Sequence, residues 1–213
     1  MLRSLVVALA LLTACNFMSP GVAGSGVAAS EQRAVGAFEQ VASDGSFAVE
    51  VEVGPAASVR VEADDNIIPL ITTEVSGDTL EISSRRSFTS ARPITVYVAT
   101  PRLVGVDHDG SGSVRVRGIS GERFAAALDG SGSVQLAGRS DSLTASLDGS
   151  GSLAAAGLLA ADVTVALSGS GEVQVHASER LVVSIDGSGS VRLAGGAKEI
   201  VTNISGSGDV APM

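Results

Sequence analysis

Residues 109–114 read Asp-Gly-Ser-Gly-Ser-Val, and the same phrase returns five times with small changes. It begins again at Asp129, at Asp148 (with Leu153 in place of Val), and at Ser168 as Ser-Gly-Ser-Gly-Glu-Val. Asp186 restores the first form, and Ser205 opens Ser-Gly-Ser-Gly-Asp-Val. The steps between starts are 20, 19, 20, 18 and 19 residues. A unit this short cannot bury a core alone, so the copies must stack as turns of a solenoid.

Between the phrases, apolar residues alternate with polar or small ones. Val114 and Val116 are followed by Phe124, Ala126 and Leu128, and the next unit offers Val134, Leu136, Leu143, Ala145 and Leu147. Short period-two runs bounded by glycine read as half-buried strands. No apolar stripe recurs at helical spacing. The expectation is an all-β, right-handed parallel β-helix with coils of about 19 residues, neighbouring strands lying roughly 4.8 Å apart. Glycine supplies the positive φ of a sharp corner. The paired glycines 110/112, 130/132, 149/151, 169/171, 187/189 and 206/208 therefore form two columns along one edge, with a serine between each pair.

Upstream, Phe47, Val49, Val51 and Val53 alternate with Ala48, Glu50 and Glu52, and further short strands are separated by Gly54-Pro55, Asp64-Asp65-Asn66 and Gly77-Asp78. Residues 36–108 read as irregular β coils or hairpins continuing into one core with the six repeats of 109–213. Residues 1–14 have the form of a secretory leader: a basic start at Arg3, then an apolar run too short to span a bilayer. Leu12-Thr13-Ala14-Cys15 resembles a bacterial lipobox, which makes Cys15 the lipidated residue and the point of membrane attachment. Cys15 is the single cysteine, so no disulfide framework competes for it. Residues 15–35 are small and flexible, as a tether should be. Asn16 after the cysteine matches the pattern for delivery to the outer membrane, with the face left open.

Lipobox, tether, the segment "DDNIIPLITTEVSGDTLEI" and the repeated Gly-Ser-Gly-x-Val together resemble the bacterial "putative auto-transporter adhesin, head GIN domain" family over residues 36–213. The resemblance implies a β-helix-like envelope protein, an adhesin by name, with no catalytic residues to carry over and no cofactor.

The chemistry-bearing residues support the same direction. The net charge of −9 and the absence of basic runs argue against nucleic acid. Asp107 to Gly112 looks like the start of an EF-hand loop. The required glutamate at its twelfth position falls on Gly118, and no helices flank it. The aspartates at 109, 129, 148 and 186 have two readings: a calcium column between coils, or caps accepting a backbone N–H within their own turns. Serine fills the slot at 168 and 205, which favours capping, and no metal site is assigned. His108 stands where other units have Leu128, Leu147, Leu167, Ile185 and Ile204, an inward structural histidine; His176 is on the outward register.

Two function classes follow. The favoured one is a non-enzymatic envelope lipoprotein that presents its solenoid for adhesion or protein assembly, with a protein or glycan surface ligand. Self-association is expected through the apolar stretch Ala154–Ala161 on the solenoid side. The alternative is a β-helix enzyme or binding protein acting on envelope polysaccharide. With no Trp, one Tyr and five Phe the chain is poor in sugar platforms. The discriminating observation is a surface groove onto which three or more acidic and basic side chains converge.

Overall fold

The computed structural model describes residues 21–54 and 56–213. Cys15 and residues 1–14, read above as a leader, lie outside the described residues. The strands are β1 (Val22–Ala23), β2 (Ala28–Arg33), β3 (Gln40–Gly45), β4 (Ala48–Val53) and β5 (Ser58–Asp64). They continue with β6 (Ile71–Ser76), β7 (Thr79–Ser84), β8 (Phe88–Thr89), β9 (Thr95–Thr100) and β10 (Gly105–Gly110). The repeats supply β11 (Ser113–Gly130), β12 (Ser133–Gly149), β13 (Ser152–Gly169), β14 (Glu172–Gly187), β15 (Ser190–Ala194), β16 (Glu199–Gly206) and β17 (Asp209–Pro212).

Stacking is parallel and in register from β10 onward. His108, Leu128, Leu147, Leu167 and Ile185 form one inward row, ending in Ile204, which the open last coil leaves exposed, and Val114, Val134, Leu153, Val173, Val191 and Val210 form another. Burial of each Leu, Ile or Val contributes about 1.5–3 kcal/mol. These rows join one continuous core running from Phe38 to Leu193. The uneven repeat lengths are absorbed away from the Gly-Ser-Gly corner. Register shifts fall between Val116 and Ile119, Gln135 and Ala137, and Ala155 and Leu159, while the corner strands pair without interruption.

The regular stack starts well before Asp109. β3 and β4 form the corner-bearing part of a coil, with Asp44 beside Asp109 and Gly45 beside Gly110. Within the span 36–108, read as irregular β coils or hairpins continuing into one core, residues 40–53 already follow the repeat. Its signature is hidden because Phe47 occupies the second glycine's place. The Phe47 ring packs over Gly45, and Ser43 takes the inward position that leucine holds elsewhere.

Coil order departs from chain order at this end. β7 pairs parallel with β3, and β9 pairs parallel with β4, so 79–100 lie outside the coil of 40–53. The chain then steps back over that coil to β10, held by a Val104 N–H to Glu39 carbonyl bond of 2.8 Å. Antiparallel strands close the end: β6 on β7, β5 on β9, and β2 on β5. A 3-10 turn at Ile68–Leu70 plugs it, with Ile67, Ile68 and Ile71 buried. The Arg33 guanidinium donates to the Ile68 carbonyl at 2.9 Å, and the buried Asp64 accepts from Ser90 Oγ and the Ala91 N–H.

Two further expectations change. The tether of 15–35 is shorter than read, because Ala28–Arg33 is a sheet strand and Val22–Ala23 pairs with Phe88–Thr89. The apolar stretch 154–161 is mostly core: Ala155 and Leu158 are fully buried, Ala160 nearly so, and Leu159 is the large side chain left exposed. Exposed apolar surface gathers instead on the last coil, at Ile200, Val201 and Ile204.

Candidate functional site

Two surfaces of the solenoid carry its polar side chains. The first is the corner edge predicted from the phrases. The two glycine columns have different physical origins. Gly110, Gly130, Gly149, Gly169, Gly187 and Gly206 all adopt positive φ between 107° and 127°. They are also crowded, a Cβ on Gly149 standing 2.4 Å from the Gly130 oxygen; Gly112, Gly132, Gly151, Gly171, Gly189 and Gly208 need no positive φ and are excluded by crowding alone, a Cβ on Gly151 standing 2.7 Å from the Gly132 oxygen and 2.8 Å from Leu128 Cδ2. Pre-corner residues Leu128, Leu147, Leu167 and Ile185 thus each cover the second glycine of the following coil.

The aspartates do not cap in the expected way. From Asp129 onward, the N–H two residues after the first residue of each phrase, the donor of an Asx turn, is taken by the preceding coil. Ser131 donates to Gly110, Ser150 to Gly130, Ser170 to Gly149, Ser188 to Gly169 and Ser207 to Gly187, at 2.9–3.1 Å. Inter-coil stacking has consumed the donors. Asp44, Asp109, Asp129, Asp148, Ser168, Asp186 and Ser205 therefore stand as an exposed acidic and hydroxyl ladder. No group of three or more His, Cys, Asp or Glu side chains suited to a metal converges among the described residues. His108 is fully buried and its Nδ1 lies 3.1 Å from the Ser43 carbonyl. A carbonyl can only accept, so Nδ1 carries the proton, and Nε2 has no partner. His176 is half-buried on the outward register, beside Gly195.

The second surface is a groove that the phrases do not announce. It lies on the wall formed by β4, β9 and β5, holds about 420 Å³, and is bordered by Glu50, Glu52, Arg60, Tyr97 and Arg117. The Arg60 guanidinium sits 4.3 Å from the centre of the Tyr97 ring and pairs with Glu62. Glu50 accepts from Arg115 at 2.6 Å and faces Arg117 at 4.0 Å. Four charged groups converge here, the feature named above as evidence for catalysis. Ion pairing decides what they can do. Glu50 is held by Arg115, with Arg117 at the limit of pairing, and among the described residues Glu52 is left as the groove's carboxylate without a cation within 4 Å. Carboxylate-pair hydrolysis needs two carboxyl groups free to act on one bond.

Residues 37–197 match the model of the family described as "Putative auto-transporter adhesin, head GIN domain". The chain belongs to this family. The head GIN domain of this chain is similar in fold to several solved bacterial proteins. A "putative adhesin" from Bacteroides fragilis has a TM-score of 0.74 at 19% identity, over 91% of this chain and 100% of its own. A "putative adhesin" from Parabacteroides distasonis reaches 0.64 at 20% identity, and a "putative lipid binding protein" from the same species 0.60 at 23%, each with the same coverage. No curated protein matches by sequence. Family and fold together support an adhesion-like, non-catalytic role at the cell envelope or surface for the head GIN domain.

Proposed function

We propose that this chain is a lipoprotein of the bacterial cell envelope, anchored at the outer membrane through acylated Cys15 after removal of residues 1–14, which presents its solenoid for adhesion or protein assembly. The observation that supports it most is the long in-register wall. Parallel stacking repeats the same outward chemistry coil after coil, which suits contact with an extended or repetitive partner better than turnover of a small substrate. Multiple acyl chains would hold such a domain at a bilayer far more firmly than one.

The Cys15→Ser substitution tests the anchor. The variant should leave the membrane fraction for the soluble one, and unchanged fractionation overturns the lipoprotein reading. Protease shaving of intact cells then separates the two faces of the outer membrane, since direct adhesion requires digestion from outside.

The β-helix enzyme acting on envelope polysaccharide has one observation in its favour, the convergence of Glu50, Glu52, Arg60 and Arg117 on the groove. The ion pairs of Glu50 and Arg60 weigh against it. Release of new reducing ends or unsaturated sugars from an envelope polysaccharide by the pure protein would restore it.

A further inference from the structure

In-register stacking lines up side chains from strands that are far apart in sequence. On the grooved wall it places Gln32, Arg60, Tyr97, Glu50, Arg115 and Gln135 in a single outward row that runs along the solenoid axis. The row is continuous in contacts as well as position. Arg60 packs on Tyr97, and Arg115 donates at once to Glu50 and, at 2.9 Å, to Gln135 Oε1. Every member ends in a planar group with hydrogen-bonding capacity or, in Tyr97, a ring carrying a hydroxyl. Ala154 then interrupts the row, and Gln174 resumes it on the next coil.

The interruption makes a second hollow of about 340 Å³, floored by Ala154 and flanked by Gln135 and Gln174. Arg117 borders both hollows, so the two are segments of one trough along the wall. Among the described residues its guanidinium pairs only with Glu50, at 4.0 Å, while Glu50 is held more closely by Arg115. Arg117 remains 59% exposed and is the least engaged cation in the trough.

The geometry points to this trough as the binding site for a linear glycan carrying carboxylated sugars. The trough lies on a sheet face whose backbone groups are already paired, so a peptide cannot add to it as a strand. Side chains alone can read the ligand. Planar amide and guanidinium groups form paired hydrogen bonds with vicinal hydroxyls, and Tyr97, with Arg60 over one face, offers the exposed part of its ring as apolar contact for a sugar. Successive strands place these groups roughly 4.8 Å apart, comparable to the advance of one sugar in an extended chain. Arg117, at the junction of the hollows, is positioned to take a sugar carboxylate as a bidentate partner. The inference deepens the adhesion role proposed above by naming a ligand class. Anchoring through Cys15 can fail without affecting it, because the titration below measures the trough alone.

Titration of the full chain with oligogalacturonate, and separately with cellohexaose, tests the proposal. Oligogalacturonate should bind saturably and at least tenfold more tightly than the neutral oligosaccharide. Tyr97→Ala and Arg117→Gln should each weaken it tenfold or more, while Asp148→Ser on the corner edge leaves it unchanged. Both trough substitutions are on outward positions, and unchanged circular dichroism and melting would verify that the variants fold. No saturable binding of oligogalacturonate, equal binding of cellohexaose, or binding insensitive to both trough substitutions overturns the site.

Discussion

Leu128 lies over Gly151, its Cδ2 only 2.8 Å from where a Cβ on that glycine would stand. The leucine comes from the strand before one corner and the glycine from the corner of the next coil. One coil's core side chain therefore enforces the next coil's smallest residue.

Gly151→Ala should destabilise by about 3 kcal/mol or more, because the added methyl meets backbone on one side and Leu128 on the other. Gly149→Ala should be at least as severe, because it adds a φ of 115° to a methyl only 2.4 Å from the Gly130 oxygen. Gly196→Ala is the control, with nothing within 4 Å and an ordinary φ, and should be near neutral. Denaturant midpoints of the three variants decide it; a mild Gly151→Ala would mean that the coils are not packed this closely.

His108→Leu should stabilise by about 1 kcal/mol. The substitution removes a buried nitrogen without a partner and continues the row of Leu128, Leu147 and Leu167. It gives up one bond to the Ser43 carbonyl. A lower thermal midpoint in the variant would show that this bond outweighs the orphaned Nε2.

The exposed aspartate ladder stacks like charges in register, which costs stability. Asp148→Ser, which copies the natural Ser168 and Ser205, should raise the melting temperature slightly, and added salt should do the same for the parent protein. A chelator should leave melting unchanged. A calcium-dependent rise in melting temperature would contradict this and return the column to a metal-binding role.

Ile200, Val201 and Ile204 are 51%, 43% and 41% exposed on a single strand. Self-association should therefore run through the last coil and not through residues 154–161. Light scattering of the Cys15→Ser protein should show mass rising with concentration, and Ile200→Lys with Ile204→Lys should abolish the rise. A parent protein that stays monomeric at high concentration removes the basis for this contact.

How much of the molecule could be read from its residues depended on how far apart the interacting partners were. Asp109 to Val210 carry their own period, and period alone dictates strands, corners, inward rows and parallel stacking, because each coil packs on the next one in sequence. His108 was legible as an inward residue for the same reason. The first coil was harder. With Phe47 in a glycine's place, only the pairing of Asp44-Gly45 with Asp109-Gly110 exposes it.

The trough was illegible altogether. Tyr97 could be noticed as the lone tyrosine, but Arg60, Glu50 and Arg115 come from strands whose spatial order is not their chain order. Tertiary structure alone decided that residues 79–100 sit beyond 40–53 and that an antiparallel cap closes that end. The physical reason is that an alternating strand specifies which face is buried, through its period of two, but not which neighbour supplies the hydrogen bonds. Where the repeat runs unbroken, the next coil is the default neighbour; where it breaks, the whole fold makes the choice.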